Sequence, residues 1–154
     1  MASDLIVRRE RYAEIIDDIK ALLPSHWQEL ALYQDDVPLD PDFEMYRRVD
    51  DAGMLAIFAV RDERELVGYA IYFVKPHHHY MGHKWAVSDI YWMDPRYRRL
   101  GHGRKMFQGV EDGLRAMGVD VMHTTLKAEH PEPAFVLETL GHARIEFGYS
   151  KRLK

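Results

Sequence analysis

The chain has 154 residues, which is enough for one compact domain and too few for two of ordinary size. Its 21 basic and 25 acidic residues give a formal net charge of −4, which disfavours a general nucleic-acid-binding surface. The lack of cysteine excludes disulfides, thiolate metal sites and a cysteine nucleophile. The longest apolar runs are far shorter than the ~20 residues that span a bilayer, and charges interrupt the N-terminal segment where a signal peptide is apolar. We therefore expect a single domain over residues 1–154 in the cytoplasm, without a membrane or nucleic-acid partner.

Helical patterns open the chain. Apolar residues at helical spacing over residues 12–23 predict an amphipathic helix that Pro24 ends, and residues 27–33 predict a second, short helix. Residues 34–51 are rich in aspartate and proline, so we expect a loop there with one helical turn. A solvated acidic surface is the simplest interpretation of this stretch.

Strand patterns follow, and then strands and helices alternate. The predicted elements in chain order are strands over 54–61, 65–74 and 85–93, a helix over 103–118, a strand over 119–126, a helix over 133–140, and one or two closing strands over 143–153. The first two strands form a hairpin around a polar turn. This order predicts an α/β (α+β) fold with a mixed, mostly antiparallel sheet and helices on both faces.

The segment before the long helix has an unusual composition. Residues 96–108 contain five arginine or lysine residues and no acidic residue. The first turn of a helix has unpaired N–H groups and a positive dipole end, which normally favour aspartate or glutamate. Since arginine and glycine stand there instead, we expect an external anion, with Gly101 and Gly103 letting the backbone approach it closely. Arginine side chains and amide donors together suit a pyrophosphate.

Two common phosphate-binding motifs do not fit this segment. A nucleotide P-loop needs GxxxxGK[ST], and neither the spacing nor the hydroxyl is present. The dinucleotide motif GxGxxG needs a third glycine, whose place is taken by Met106.

A family resemblance does fit. The run Arg98-Arg99-Leu100-Gly101-His102-Gly103, after Pro95 and Tyr97, resembles the [QR]-x-x-G-x-[GA] acyl-coenzyme A signature of the GNAT superfamily of N-acyltransferases. The resemblance extends in order and spacing from about Met54 to the C-terminus. It implies a GNAT-type sheet with a central, splayed pair of parallel strands. Segments around residues 26–30, 79–80, 89–91 and 149–151 are also similar to a subgroup found in phages and their bacterial hosts, which implies no particular substrate.

The resemblance implies a binding site for acetyl-coenzyme A as co-substrate, and no metal. The backbone of residues 99–104 would hold the pyrophosphate, and the thioester would lie between residues 91–93 and residues 121–124. The implied cofactor-binding residues are Tyr91, Trp92, Met93, Arg98, Arg99, Leu100, Gly101, His102, Gly103 and Arg104.

Two catalytic candidates come from the strand and the C-terminus. A charge within the apolar strand 85–93 is costly unless it is paired or functional, so Asp89 is a candidate to help deprotonate an acceptor amine. It could instead face solvent or pair with a basic residue on a neighbouring strand. Many family members protonate the leaving thiolate with a tyrosine in the late helix, but that position is Leu137 here. Tyr149, Tyr91 and Tyr80 are therefore candidates that the sequence does not rank, and each also fits a core or rim aromatic.

The histidines of residues 77–83 suggest an acceptor site rather than a metal site. Adjacent residues on an extended chain point to opposite faces, so consecutive histidines rarely converge on one ion. Because this loop precedes the strand over residues 85–93, we expect His79, Tyr80 and His83 to border the acceptor pocket. An exposed hairpin tip is the alternative interpretation. The resemblance also places residues 34–51 where acceptor specificity is built, which favours a cationic acceptor.

The sequence thus predicts an N-acetyltransferase that acts by direct attack in a ternary complex, with a small-molecule or protein amine as acceptor. A non-catalytic coenzyme A-binding or interaction module on the same fold is the alternative, which Leu137 favours and the intact loop 98–103 disfavours. A homodimer is left open.

Overall fold

The alternating apolar residues in the middle of the chain form one mixed sheet. The computed structural model describes residues 4–99 and 101–154. Its strands, hydrogen-bonded in chain order, are β1 (Ile6–Glu10), β2 (Leu55–Asp62), β3 (Glu65–His77), β4 (Tyr80–Met93) and β5 (Val121–His123). Strands β1 to β4 are antiparallel and β4 and β5 are parallel. The predicted mixed, mostly antiparallel class is confirmed, although the parallel pair lies at an edge of this sheet and not at its centre.

Helices cover both faces, as the sequence predicts. They are α1 (Tyr12–Leu30), α2 (Phe43–Asp51), α3 (His102–Ala116) and α4 (Pro133–Thr139). On one face, α1 and α2 pack against a core that includes Ile57, Ile71 and Trp92. On the other face, α3 packs against Phe58 and Tyr72. Within the described residues, no helix is both long enough and apolar enough to cross a bilayer.

Three predictions about the elements are wrong. The N-terminal helix does not end at Pro24, because α1 continues through it to Leu30 and buries His26 beyond it. Residues 34–51 hold more than one turn, since Asp42 caps the two-and-a-half-turn helix α2 by accepting a hydrogen bond from the backbone N–H of Met45. Residues 143–153 form no strand. Strand β1 was not predicted, because its two apolar residues among charged ones carry no clear pattern.

Helix α3 lies unusually close to the sheet at two glycines. A Cβ at Gly109 would lie 2.5 Å from a methyl group of Val7 on β1, and one at Gly113 would overlap the ring of Phe58 on β2. Glycine costs about 1 kcal/mol relative to alanine inside a helix. The close approach therefore explains why glycine is used at both positions.

We expect Gly113→Ala to destabilise the fold, although alanine is the better helix former. Phe58 is almost fully buried, and overpacking a filled core outweighs the gain in helix propensity, for a net loss of roughly 1–2 kcal/mol. Thermal denaturation measures the effect, with Gln108→Ala on the exposed side of α3 as a control that should leave the melting temperature nearly unchanged. A melting temperature of the Gly113 variant at or above that of the wild type would contradict this account.

Candidate active site

The parallel strands β4 and β5 separate after a short ladder. Their last backbone pair joins Val87 and His123. Beyond it, side chains bridge the strands: the backbone N–H of Thr125 donates to the Ser88 hydroxyl over 2.9 Å, and the Tyr91 hydroxyl donates to the carbonyl of Thr125 over 3.2 Å. The backbone pairing of β4 and β5 therefore ends at Val87 and His123, as expected for the splay that the family resemblance implies. We call the region between Tyr91 of β4 and Thr125 beyond β5 the gap.

Strand β4 bulges at Asp89, next to this gap. The pairing of β3 with β4 passes from Ile71–Ile90 to Tyr72–Ser88, so Asp89 has no partner residue. A bulge redirects a side chain, and the Asp89 carboxylate accepts a hydrogen bond from the Tyr46 hydroxyl of α2 over 2.5 Å. Burial raises the pKa of Asp89, and the Tyr46 hydrogen bond opposes the rise. The carboxylate is therefore a stronger base than an exposed aspartate.

The loop between β4 and α3 leads to the N-terminus of α3, where no side-chain cap is present. Gly101 takes the N-cap position with a φ of 78°, a left-handed conformation that glycine adopts without strain, and no side chain caps the helix there. The first turn contains no acidic residue. A Cβ at Gly103 would meet nothing within 4 Å, so the space before this turn is open. Leu100, which the resemblance also implicates, lies outside the described residues.

The basic side chains of this loop divide into two groups. Arg98 donates to the Met93 carbonyl over 2.8 Å and to both oxygens of Glu29 on α1 over 2.5 and 2.6 Å, so its charge is matched within the protein. Arg96 similarly pairs with Asp94, and Lys105 pairs with Asp4. In the second group, Arg99 is exposed, and Arg104 donates to the Thr139 hydroxyl over 3.1 Å. Arg99 and Arg104 therefore remain to attract an anion at the start of α3.

The remaining predicted cofactor-binding residues lie on β4 and at the start of α3. The side chains of Trp92 and Met93 are buried in the core, so only their backbone can face a ligand in the gap. The Tyr91 ring packs edge-on against Phe107, with its hydroxyl at the gap. His102 lies within hydrogen-bonding distance (3.1 Å) of the Tyr97 carbonyl.

The structure does not bring the other candidates to Asp89. Tyr80 lies at the far end of β4, roughly 30 Å from Asp89 at the usual rise per residue. His79 adjoins Tyr80 in the β3–β4 turn, and His83 lies 3.7 Å from the Asp120 carboxylate. Within the described part of the chain, no group of three histidine, cysteine, aspartate or glutamate side chains could hold a metal ion.

The C-terminal candidate is a surface side chain. Tyr149 is 98% exposed, and the chain beside it is held by a 2.8 Å hydrogen bond between Ser150 and Tyr33. Leu137, at the position of the family tyrosine, is buried in the core beneath α3.

A cavity of about 430 Å³ opens on the face of the sheet that carries α1 and α2. Its walls come from both helices, from residues 31–41 and from the sheet, and it reaches Ile90 beside the bulge and Lys127 beyond β5. Tyr46 also lines it, so the cavity and the Asp89 carboxylate share this side chain. Sequence reasoning missed both Tyr46 and the cavity, because neither carries a motif.

Comparison with known proteins gives the family and the fold class of the chain. The sequence matches the family model described as the acetyltransferase (GNAT) family over residues 14–141. The chain therefore belongs to the GNAT acetyltransferase family. A comparison with curated protein sequences finds no match.

Several solved structures share the fold. A ribosomal-protein-alanine N-acetyltransferase from Brucella melitensis biovar Abortus 2308 is 15% identical with a TM-score of 0.72, over 97% of this chain and 99% of that chain. The aminoglycoside N-acetyltransferase AAC(6')-Iy, in complex with the bisubstrate analogue CoA-S-monomethyl-acetylneamine, is 16% identical with a TM-score of 0.73, over 99% of both chains. The aminoglycoside acetyltransferase HMB0005 from an uncultured soil metagenomic sample is 16% identical with a TM-score of 0.75, over 98% of this chain and 99% of that chain. At these identities the likeness shows the fold alone.

We expect Glu29→Gln to lower the melting temperature at neutral pH, because Arg98 loses its charged partner, at a cost of roughly 1–2 kcal/mol. The Arg98 hydrogen bonds hold the pKa of Glu29 below its ordinary value of about 4.3. A depressed folded-state pKa stabilises the fold above the ordinary pKa, and this stabilisation is lost as the pH falls through the folded-state pKa. The difference between wild type and variant should therefore shrink below about pH 4 in thermal denaturation series.

Glu44→Gln is the matched control. Glu44 pairs with Arg47 on the exposed side of α2, where an ion pair contributes little stability. A Glu29 effect that does not change with pH, or one no larger than the Glu44 effect, would contradict the proposed role of the ion pair.

Proposed function

We propose that the protein transfers an acetyl group from acetyl-coenzyme A to a primary amine by direct attack in a ternary complex. The observation that carries this proposal is the end of the β4–β5 ladder at Val87, which is followed along the chain by the Asp89 carboxylate and then by the uncapped start of α3. Family membership supports acetyl transfer. The complex of AAC(6')-Iy with a coenzyme A bisubstrate analogue supports acetyl-coenzyme A as the donor.

The start of α3 binds the pyrophosphate in this proposal. Backbone N–H groups at Gly101 and in the first turn donate to it, and Arg99 and Arg104 add positive charge. Arg98 acts through the fold, because its contacts with Glu29 and Met93 hold the loop in place. The pantetheine arm then runs into the gap along the backbone of β4.

Asp89 accepts a proton from the acceptor amine. An amine with a pKa of about 10 arrives as the ammonium ion and must lose one proton before it attacks. The nitrogen then forms a bond to the thioester carbon as the carbon–sulfur bond breaks. The nitrogen loses its second proton as the thiolate gains one, so each turnover releases one proton to solvent through Asp89.

Tyr91 fits the role of thiolate acid better than Tyr149. Its hydroxyl lies at the gap, whereas Tyr149 is almost fully exposed. Burial raises the pKa of Tyr91, which keeps the hydroxyl protonated as a hydrogen-bond donor to the thiolate but makes it a weaker acid than an exposed tyrosine.

A coenzyme A-binding module without catalysis is the second candidate function. The buried Leu137 favours it, because no hydroxyl stands at the position of the usual family acid. Asp89 and Tyr91 at the gap favour the enzyme.

Gly103→Val should abolish acetyl-coenzyme A binding without destabilising the protein. A Cβ at Gly103 meets no atom within 4 Å, so we expect the valine to fit beside the protein and to occupy the place proposed for the pyrophosphate. Thermal shift with acetyl-coenzyme A measures binding, and thiol release over a panel of amines measures turnover. Gly148→Val, also in open space, is the matched control and should bind like the wild type.

Each outcome of that experiment is decisive. Stabilisation of the wild type with thiol release supports the enzyme. Stabilisation without turnover on any amine supports the binding module. No stabilisation of the wild type, or unchanged binding by the Gly103 variant, overturns the assigned cofactor site.

The pH dependence of turnover tests Asp89. Asp89→Asn should retain acetyl-coenzyme A binding and lower kcat at least about 100-fold, the usual contribution of a general base.

Tyr46→Phe removes the hydrogen bond that lowers the pKa of Asp89, so that pKa rises and the acidic limb of kcat/KM moves to higher pH. Equal losses of binding and turnover in the Asn variant, or an acidic limb that does not move in the Phe variant, would contradict this role.

A further inference from the structure

We infer that the acceptor is an amine with an apolar body, of aromatic or branched aliphatic type, which occupies the cavity beneath α1 and α2. This inference rests on the proposed acetyl transfer and names the class of its acceptor. It narrows the cationic acceptor that the acidic composition of residues 34–51 favours to an amine with one positive charge and an apolar remainder.

The walls of the cavity are mostly apolar. They include Leu23 of α1, Leu39 of the connecting segment, and Ile57, Ile71 and Ile90 of the sheet. A volume of about 430 Å³ lies within the usual range of small-molecule sites, which are mostly apolar with a few polar groups that fix orientation. The cavity therefore suits a compact apolar group better than a chain of charges.

The connecting segment that forms one wall is held in place. The side-chain amide of Gln34 donates to the carbonyls of Gln28 and Ala31 at the end of α1, over 2.7 and 3.1 Å. Asp36 pairs with Arg152 of the C-terminal segment over 2.6 Å. A wall fixed in this way gives a cavity that is already formed before a ligand binds, which lowers the entropic cost of binding.

The polar groups of the cavity lie where an amine nitrogen would need them. Tyr46 lines the cavity, and its hydroxyl bonds to Asp89 at the bulge, so a ligand nitrogen beside Tyr46 lies near the proposed base. His26 adds no positive charge, because burial lowers its pKa to about 4, and its ring is hydrogen-bonded to Tyr69 over 2.6 Å. The arrangement therefore matches a ligand with one polar end and an apolar remainder.

The acidic side chains nearby are largely committed to other partners. Asp50 pairs with Arg11, Asp51 with Arg47, and Asp36 with Arg152. Asp40 is the acidic residue among those that line the cavity, and Lys127 lines it as well. A polyamine would bring several positive charges against apolar walls without matching carboxylates, which is costly.

A long acyl chain on the donor is the other ligand that apolar walls could take. The Asp40 carboxylate favours an amine, because an acyl chain has no group to pair with it. The Tyr46–Asp89 pair also serves an amine nitrogen and has no role for a hydrocarbon chain.

Isothermal titration with 2-phenylethylamine tests the inference on protein saturated with coenzyme A, so that the readout does not depend on turnover. We expect it to bind, and 2-phenylethanol and spermidine to bind at least roughly tenfold more weakly. Leu39→Arg should weaken 2-phenylethylamine binding by a similar factor, because it places bulk and positive charge in the cavity wall. Met54→Arg, at a position of nearly equal exposure outside the cavity, is the matched control and should bind like the wild type.

The outcomes separate this inference from the proposed function. Binding of 2-phenylethylamine that Leu39→Arg weakens, without thiol release from acetyl-coenzyme A, supports the cavity assignment and contradicts the transferase. Thiol release only with hydrophilic amines supports the transferase and overturns the cavity assignment. Spermidine that binds as tightly as 2-phenylethylamine overturns the inference. Faster turnover of a medium-chain acyl-coenzyme A than of acetyl-coenzyme A, blocked by Leu39→Arg, assigns the cavity to the donor and also overturns it.

Discussion

The divergence of β4 from β5 is the constraint on which the site depends. A parallel pair that continued its ladder past Val87 would close the sheet and leave no room for a ligand between the strands. The bulge at Asp89 shifts the register of β4 where the strands separate, so the carboxylate meets Tyr46 of α2. Helix α3 packs on one face of this sheet, and the apolar cavity lies on the other.

The ion pair of Arg98 with Glu29 links the loop before α3 to helix α1. Arg98 comes from the loop that starts α3, and Glu29 comes from the end of α1, which forms a wall of the cavity. Glu29 also accepts a hydrogen bond from the Trp92 indole over 3.0 Å. Arg98 of the motif is thus paired within the protein, and its neighbours Arg99 and Arg104 are the arginines proposed to meet the anion. A motif residue and its chemical role can differ in this way because an internal carboxylate competes with the ligand.

Local patterns predicted most elements, and they failed where tertiary packing decided the outcome. Pro24 ends a helix in isolation, but α1 packs on the sheet both before it, through Ile19, and after it, through His26. Strand β1 has little apolar patterning, and it forms because β2 provides a complete antiparallel partner. Residues 143–153 carry a strand pattern, but a strand also needs a partner edge, and none pairs with them within the described residues.

The sequence alone determined the fold class and the helix start that suits an anion, because apolar periodicity and the glycines near α3 act over a few neighbouring residues. It also pointed to Asp89, since a charge in an apolar strand is costly without a purpose. Only the tertiary structure decided what surrounds that carboxylate. Tyr46 and the apolar cavity wall come from segments far apart in the chain. The nearby Asp50 is buried and paired with Arg11. The composition gives the number of charged residues, but the packing of the chain determines which of their side chains a ligand can contact.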